Sequence, residues 1–305
     1  MPVYARPVTY SIVARDDDGR LGVGVQTCVM GVGAICSWAR AGVGAVATQA
    51  FSQPGYGPRL LDRLQAGEAP EQALDALRGA DDRRDQRQVA VVAADGSVAA
   101  ATGSDTIPYA GDVRATGVSC QANMMAAPGV PEAMREAFLH ARGSLERRLL
   151  AALVAAEAGG GDFRGRQSAA LLVVEAERKE EAWDGVITDL RVDDDPEPLA
   201  ALGRLVDVAE AYRLMQTATE AAKSGDVADA ARSAARARAL APHDQNVLGF
   251  DAMLRAHGGD LAPLHELLDR RPGTMMLVDW LRAHGEIQLD DTTMELLRSR
   301  HGVRR

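Results

Sequence analysis

The order in which hydrophobic periodicity switches along this chain limits its fold more than any other feature. Residues 9–14 are rich in strand formers, Asp16-Asp17-Asp18-Gly19 supplies turn chemistry, and residues 21–27 alternate large side chains with glycine, which together predict a hairpin. Residues 33–38 and 42–48 repeat the strand pattern. From Pro58 onward Leu60, Leu61, Leu64, Ala73, Leu74 and Leu77 fall at helical spacing, interrupted near Ala66-Gly67 and restarted after Pro70. Residues 88–94, the turn at Asp95-Gly96 and residues 97–102 form a second hairpin, and 117–125 a further strand. Helices over 131–142 and 145–158 precede strands over 167–175 and 185–192. Such an order predicts an α+β fold of two antiparallel sheets with helices on both outer faces, because a doubly wound sheet needs strands and helices to alternate one for one. Gly22, Gly24, Gly31 and Gly33 do not complete GxGxxG at a strand-to-helix turn, which argues against a dinucleotide site.

At 305 residues the chain is longer than one ordinary domain needs. Residues 190–198, LRVDDDPEP, combine four acids with two prolines, and everything after them reads as helix. The expected organisation is a leader over 1–8, a mixed domain over 9–195 and an all-α domain over 196–305. Gly225-Asp226 and Gly259-Asp260 lie 34 residues apart between amphipathic stretches, which is the tetratricopeptide period. About two repeats fit, fewer than a free-standing solenoid usually has, so the tail is expected to pack on the first domain or on another subunit. It reads as a self-association appendage ahead of a groove for a protein partner.

A net charge of −9 with interspersed arginines argues against nucleic-acid binding. Hydrophobic residues make up 47% but aromatics only 4%, so a core would be built from small side chains packed closely. Cys28, Cys36 and Cys120 form no CxxC pair, which suits buried thiols in a cytoplasm. No window approaches the ~18 uninterrupted apolar residues of a membrane helix, and residues 1–30 lack a basic segment followed by a long apolar one.

Residue inventory removes most catalytic repertoires from the first part. Its first 178 residues contain no lysine, and His140, between Leu139 and Ala141, is their only histidine. A Schiff-base lysine is excluded, a histidine zinc cluster has no second member, and neither metal nor cofactor is expected. Thr9 heads the first predicted strand. A threonine there is either an ordinary β-branched strand residue or, if it becomes the chain terminus, a nucleophile whose own α-amine is the base. With MPVYARPV in front of it, Thr9 carries an amide nitrogen until those residues are removed.

Other polar residues gather where strands end. Thr48 and Gln49 close a strand before a Gly/Pro loop and either meet a cleft or cap that loop. Gln121 and Asn123, two apart, share a strand face, where an amide binds a developing oxyanion or makes an internal hydrogen bond. Asp162, Arg164, Arg166, Gln167 and Ser168 crowd a glycine-flanked loop, where arginine holds a substrate carboxylate or bridges Asp162. Asp16 to Asp18 lack ligands at EF-hand spacing and read as a solvated turn.

The segments TYSIVARD from Thr9, WARAGVGAVATQ from Trp38, QPGYGPR from Gln53, Gln121 with Asn123, and GGDFRGRQSAALLVV from Gly160 resemble the bacterial family called domain of unknown function 1028. That family is grouped with the N-terminal nucleophile (Ntn) hydrolases. The resemblance spans roughly residues 9–195 and implies a four-layer αββα sandwich with a cleft at the head of the first strand. It further implies hydrolysis of a small-molecule amide, with Thr9 as nucleophile and Asn123 as its catalytic partner. Thr48, Gln49, Gln121, Asp162, Arg164, Arg166, Gln167 and Ser168 would surround the substrate. Proteasome-like relatives place a lysine near their threonine, and this sequence has none, which leaves the α-amine as the conventional base. Members commonly begin at or next to the threonine that matches Thr9, so the leader is a departure from the family pattern.

Overall fold

The computed structural model describes residues 9–181, 183–287 and 289–301. The expected leader over 1–8 lies outside them. The chain divides by its internal contacts between Val206 and Asp207.

In the first unit the strands are β1 (Thr9–Arg15), β2 (Leu21–Thr27), β3 (Ser37–Arg40), β4 (Gly44–Ala50), β5 (Arg87–Ala93), β6 (Val98–Thr102), β7 (Gly111–Ala115), β8 (Val118–Asn123), β9 (Ser168–Val174) and β10 (Val186–Val192). They form two antiparallel sheets, one in the order β10-β9-β2-β1-β8-β7 and one in the order β3-β4-β5-β6. Helices α1 (Gly33–Cys36), α2 (Tyr56–Gln65), α3 (Pro70–Gly79), α4 (Val130–His140) and α5 (Leu145–Ala158) complete the unit, together with the start of α6 (Pro198–Ser224).

Alternation along the strands sorts the core into three clusters. Tyr10, Ile12, Cys120 and Leu171 pack with Met134 and Phe138 of α4 and Leu149 and Leu153 of α5. Val46, Val89 and Val91 pack with Leu60 and Leu61 of α2 and Leu74 of α3. Val13, Leu21 and Val23 of the larger sheet meet Ala45, Ala47, Ala90 and Val92 of the smaller one, so the two sheets share an interior. The alternating glycines of β2 face the helices: a Cβ on Gly22 would stand 2.8 Å from a Leu149 methyl, so glycine lets α5 lie close.

Two segments differ from the sequence expectation. Residues 33–38, expected as a strand, begin with the single turn α1 before β3, because Val32 and Cys36 are drawn into a buried cluster with Val25 and Ala170. A Cβ on Gly33 would sit 2.6 Å from that of Ala170, so only glycine permits the approach. Strand β7 was not anticipated. It lies at the edge of the larger sheet and its residues are half-buried or exposed, so it carries little apolar alternation. The unit also reaches past the expected boundary at 195/196, because Leu199, Leu202 and Val206 of α6 belong to the α4/α5 core.

The second unit holds the rest of α6, then α7 (Val227–Leu240), α8 (Gln245–His257), α9 (Ala262–Arg270), α10 (Thr274–Ala283) and α11 (Asp291–His301). Among its described residues no strand forms. Gly225 and Gly259 are equivalent, as their spacing predicts: φ is +84° and +92°. In each case the glycine N–H reaches back three residues and the following aspartate N–H five, at 2.9–3.1 Å, the double cap that a left-handed residue allows. Asp226 then caps α7 at the Asp229 amide, and Asp244 caps α8 at Asn246 and Val247. Among the described residues no helix is long and apolar enough to cross a membrane.

Candidate functional site

Thr9 heads β1, an internal strand flanked by β2 and β8. It pairs with Thr27 on one side and Asn123 on the other, and Thr27 pairs with Ser168. Opposed residues of antiparallel neighbours share a face, so Ser168, Thr27, Thr9 and Asn123 make a polar row across the ends of four strands. Two residues deeper the row reads Ala170, Val25, Ser11 and Gln121. This face is the one turned to the smaller sheet, since Val13 on the same side of β1 packs on Ala45 and Ala47. Thr9, Ser11, Thr27, Gln121, Asn123 and Ser168 are all buried.

A chain of neutral amides joins the sheets here. Gln49 Nε2 donates to the Thr9 carbonyl at 3.1 Å and to Gln88 Oε1 at 2.7 Å, while its Oε1 accepts from Ser11 Oγ at 2.6 Å. Asn123 Nδ2 donates to the same Thr9 carbonyl at 3.2 Å and to the same Gln88 Oε1 at 3.0 Å. Gln121 Nε2 donates to Ser11 Oγ at 2.5 Å, and Gln121 Oε1 accepts from Ser119 Oγ at 2.9 Å. Against this, the buried Thr9 hydroxyl has no hydrogen-bond partner among the described residues. A left-handed non-glycine residue comes directly after each network amide: Ala50 at φ 66°, the last residue of β4, after Gln49, and Met124 at φ 56°, just past β8, after Asn123. Such residues cost about 1–3 kcal/mol each and collect at functional sites.

The remaining residues singled out from sequence divide by strand parity and by partner. Thr48 shares its side of β4 with Val46, the face covered by α2 and α3, and donates to the Gln53 carbonyl at 3.4 Å. It therefore lies on the opposite face from Gln49. Asp162 accepts from the Cys28 amide at 3.2 Å and the Arg164 amide at 2.9 Å and pairs with the Arg164 guanidinium at 3.3 Å, so the bridge within the loop is formed. It ties that loop to the end of β2, one residue beyond Thr27. Arg166 binds Glu157, Glu197 and the Pro196 carbonyl, and Gln167 binds Asp194; their polar atoms serve the start of α6 and the segment before it. Ser168 donates to the Val29 carbonyl and accepts from the Val32 amide at 3.2 Å, fastening the 28–32 segment to β9.

Sequence reasoning missed Gln88, which lies at the centre of the amide chain. The available signal was a lone buried amide opening the strand run of residues 88–94, two positions before Ala90.

The nearby Tyr10 phenol and the Cys28 and Cys36 thiols are held protonated. Burial, then the Glu157 carboxylate that accepts its O–H at 2.7 Å, pushes the Tyr10 phenol above its usual range. Burial, then the Asp162 charge, pushes the Cys28 thiol up to about 11, and burial takes Cys36 to about 12. Among the described residues no group of three or more His, Cys, Asp or Glu is placed to hold a metal ion. Open cavities lie elsewhere: about 330 Å³ beside Tyr56, Arg59 and Arg83, and about 520 Å³ within the helical unit against Ala230, Ala234 and Leu254. Cavity size is a weaker guide here than chemistry, because the larger space lacks Thr9 and the amides bonded around it.

The sequence model of a family of unknown function, DUF1028, matches residues 9–202. A crystal structure of a Silicibacter pomeroyi protein assigned to that family is similar at 34% identity, covering 65% of this chain and 88% of its own, with a TM-score of 0.59. No curated protein matches the chain.

Proposed function

Since the chain belongs to DUF1028, whose function is unknown, its activity has to be read from the site, and we propose that it is an Ntn-type hydrolase that cleaves a small-molecule amide through Thr9. In this reading the two sheets and their flanking helices are the αββα sandwich of that class. One observation carries it: a buried threonine hydroxyl without a partner among the described residues stands at the head of an internal strand, while two side-chain amides hold the carbonyl of the same residue. Left-handed residues beside both amides support it, as does a family match that begins at Thr9.

The chemistry requires removal of Met1 to Val8. Thr9 Oγ then attacks the substrate carbonyl and its proton passes to the Thr9 amine. As the C–N bond breaks, that proton is delivered to the leaving amine, and water later opens the ester. Both Asn123 Nδ2 hydrogens already have acceptors, so in this state Asn123 fixes the strand head. Loop N–H groups, or Asn123 once substrate competes for its amide, would meet the oxyanion. The helical unit is read as tetratricopeptide-like and as the surface for self-association or a protein partner, on the strength of its equivalent glycine caps.

The test combines intact mass with hydrolysis of a panel of small amides. Turnover is expected only from protein that begins at Thr9, rising with pH around an apparent pKa of roughly 7 to 8 as the amine loses its proton. Full turnover with the leader intact would remove Thr9 from the chemistry. A stable uncleaved leader with no turnover would favour a scaffold whose helical unit binds a partner.

A further inference from the structure

Gln88 belongs to the smaller sheet, yet most of its partners are in the larger one. Its Nε2 donates to the Gly111 carbonyl at 3.1 Å, the Ala122 carbonyl at 2.9 Å and Thr102 Oγ1 at 2.9 Å. Its Oε1 accepts from Gln49 Nε2 and Asn123 Nδ2, the two amides that converge on the Thr9 carbonyl. That arrangement fixes the orientation of the Gln88 amide, because a flipped group would face N–H against N–H on one side and C=O against C=O on the other. It also fixes the clamp: with Oε1 in place, each clamping amide has one hydrogen on Gln88 and one on Thr9. Gln88 is fully buried, so water cannot replace it.

We infer that Gln88 is a positioning residue for Thr9, holding the nucleophile through Gln49 and Asn123 so that its hydroxyl and amine present one geometry to substrate. This rests on the hydrolase reading above. The physical reason is that Thr9 supplies both nucleophile and base. A shift of about 1 Å at its carbonyl displaces the two together, and errors of that size cost on the order of 10²-fold in rate.

Gln88→Glu is nearly isosteric and carries the test. Ionised, it loses the donors to Gly111, Ala122 and Thr102; protonated, it keeps an acceptor and one donor. Acylation of Thr9 by p-nitrophenyl acetate, followed by intact mass on protein beginning at Thr9, is expected to be at least about tenfold slower in Gln88→Glu at neutral pH. The ratio to the parent should close as pH falls toward the carboxyl range. Because an ionised buried carboxyl also destabilises the fold as pH rises, rates are compared only at pH values where near-UV circular dichroism shows the variant folded. Gln88→Met, of similar volume, should stay slow at every pH. Should either variant fold poorly, hydrogen exchange of the Gln49 and Asn123 side-chain amides in the parent gives the second measure, with slow exchange expected for both. Parent protein acylated at Thr9, with Gln88→Glu acylated equally fast at all pH values, would overturn the positioning role alone, as would fast-exchanging side-chain amides. A parent never acylated at Thr9 would overturn the hydrolase reading, and the positioning role with it.

Discussion

Two polar clusters in this protein, one buried and one open to solvent at its charged members, are built from opposite materials. At the head of β1, Ser11, Gln49, Gln88, Gln121 and Asn123 are joined without an ionisable member. In the helical unit, His265 Nδ1 meets His301 Nε2 at 2.9 Å and His301 Nδ1 meets Asp269 at 3.0 Å, with Arg300 3.9 Å from the same carboxylate. Neutral amides offer fixed direction without titrating, so the first cluster holds one geometry across the physiological pH range. The second cluster contains His265, whose pKa is lowered by burial and by the charges beside it, so its contribution to stability varies with pH. On the proposed hydrolase reading, the contrast suits a site that positions Thr9 with groups whose charge does not change.

The largest effect expected is at Thr9. Thr9→Ala should abolish turnover with folding almost unchanged, since little buried volume is lost, whereas Thr9→Ser should keep part of it; comparison of kcat/KM across the three proteins checks this. Next is Gln121→Leu, which leaves the buried Ser119 hydroxyl without its acceptor and removes one of the two amides bonded to Ser11. It should cost about 1–3 kcal/mol, by chemical denaturation, and the loss should not vary with pH. A pH-dependent loss would break the distinction between the clusters. A smaller cost, about 1 kcal/mol, is expected for His301→Leu, read as faster hydrogen exchange in α9 and α11 with the β1 region unchanged.

The smallest effect is also the most diagnostic. Burial, then the charges of Arg300 and His301, holds the His265 pKa below its ordinary value of about 6.5. A native pKa below the unfolded value means that the unfolded chain takes the proton more readily, so stability falls as pH drops below about 6.5. The loss ends once pH passes below the depressed native pKa. Protection of the α9 and α11 amides, taken relative to the intrinsic exchange rate at each pH, should therefore fall between about pH 7 and pH 5, while protection in β1, β2 and β8 is unchanged. Equal loss of protection in both regions would refute the comparison.

The sequence made most of the frame legible where side chains repeat with a clear period. The hairpin of β1 and β2, helices α2 to α5 and the helical tail all follow from apolar spacing. Edge strand β7 did not, because a half-exposed strand needs little apolar alternation. Residues 33–36 satisfy a strand pattern as well as one helical turn, and packing against Ala170 decided between them. At the site, strand parity could be read for Gln121 and Asn123 two apart, but Thr48 and Gln49 are neighbours, so one had to face away. The sequence offered no means to choose which.

What the residues alone determine is the chemical inventory: no lysine and a single histidine in the first 178 positions, threonine at the front of the first strand, and glycines 34 residues apart in the tail. Local rules act on these within a few residues, through pairing, capping and period. Gln88's hold on Thr9, Asp162's commitment to Arg164 and Cys28, and the meeting of His265 with His301 were decided by tertiary structure. Apart from Asp162 with Arg164, two residues apart, these contacts join groups 35 to 134 residues apart, and a buried polar group takes whatever partner the packed backbone brings within about 3 Å.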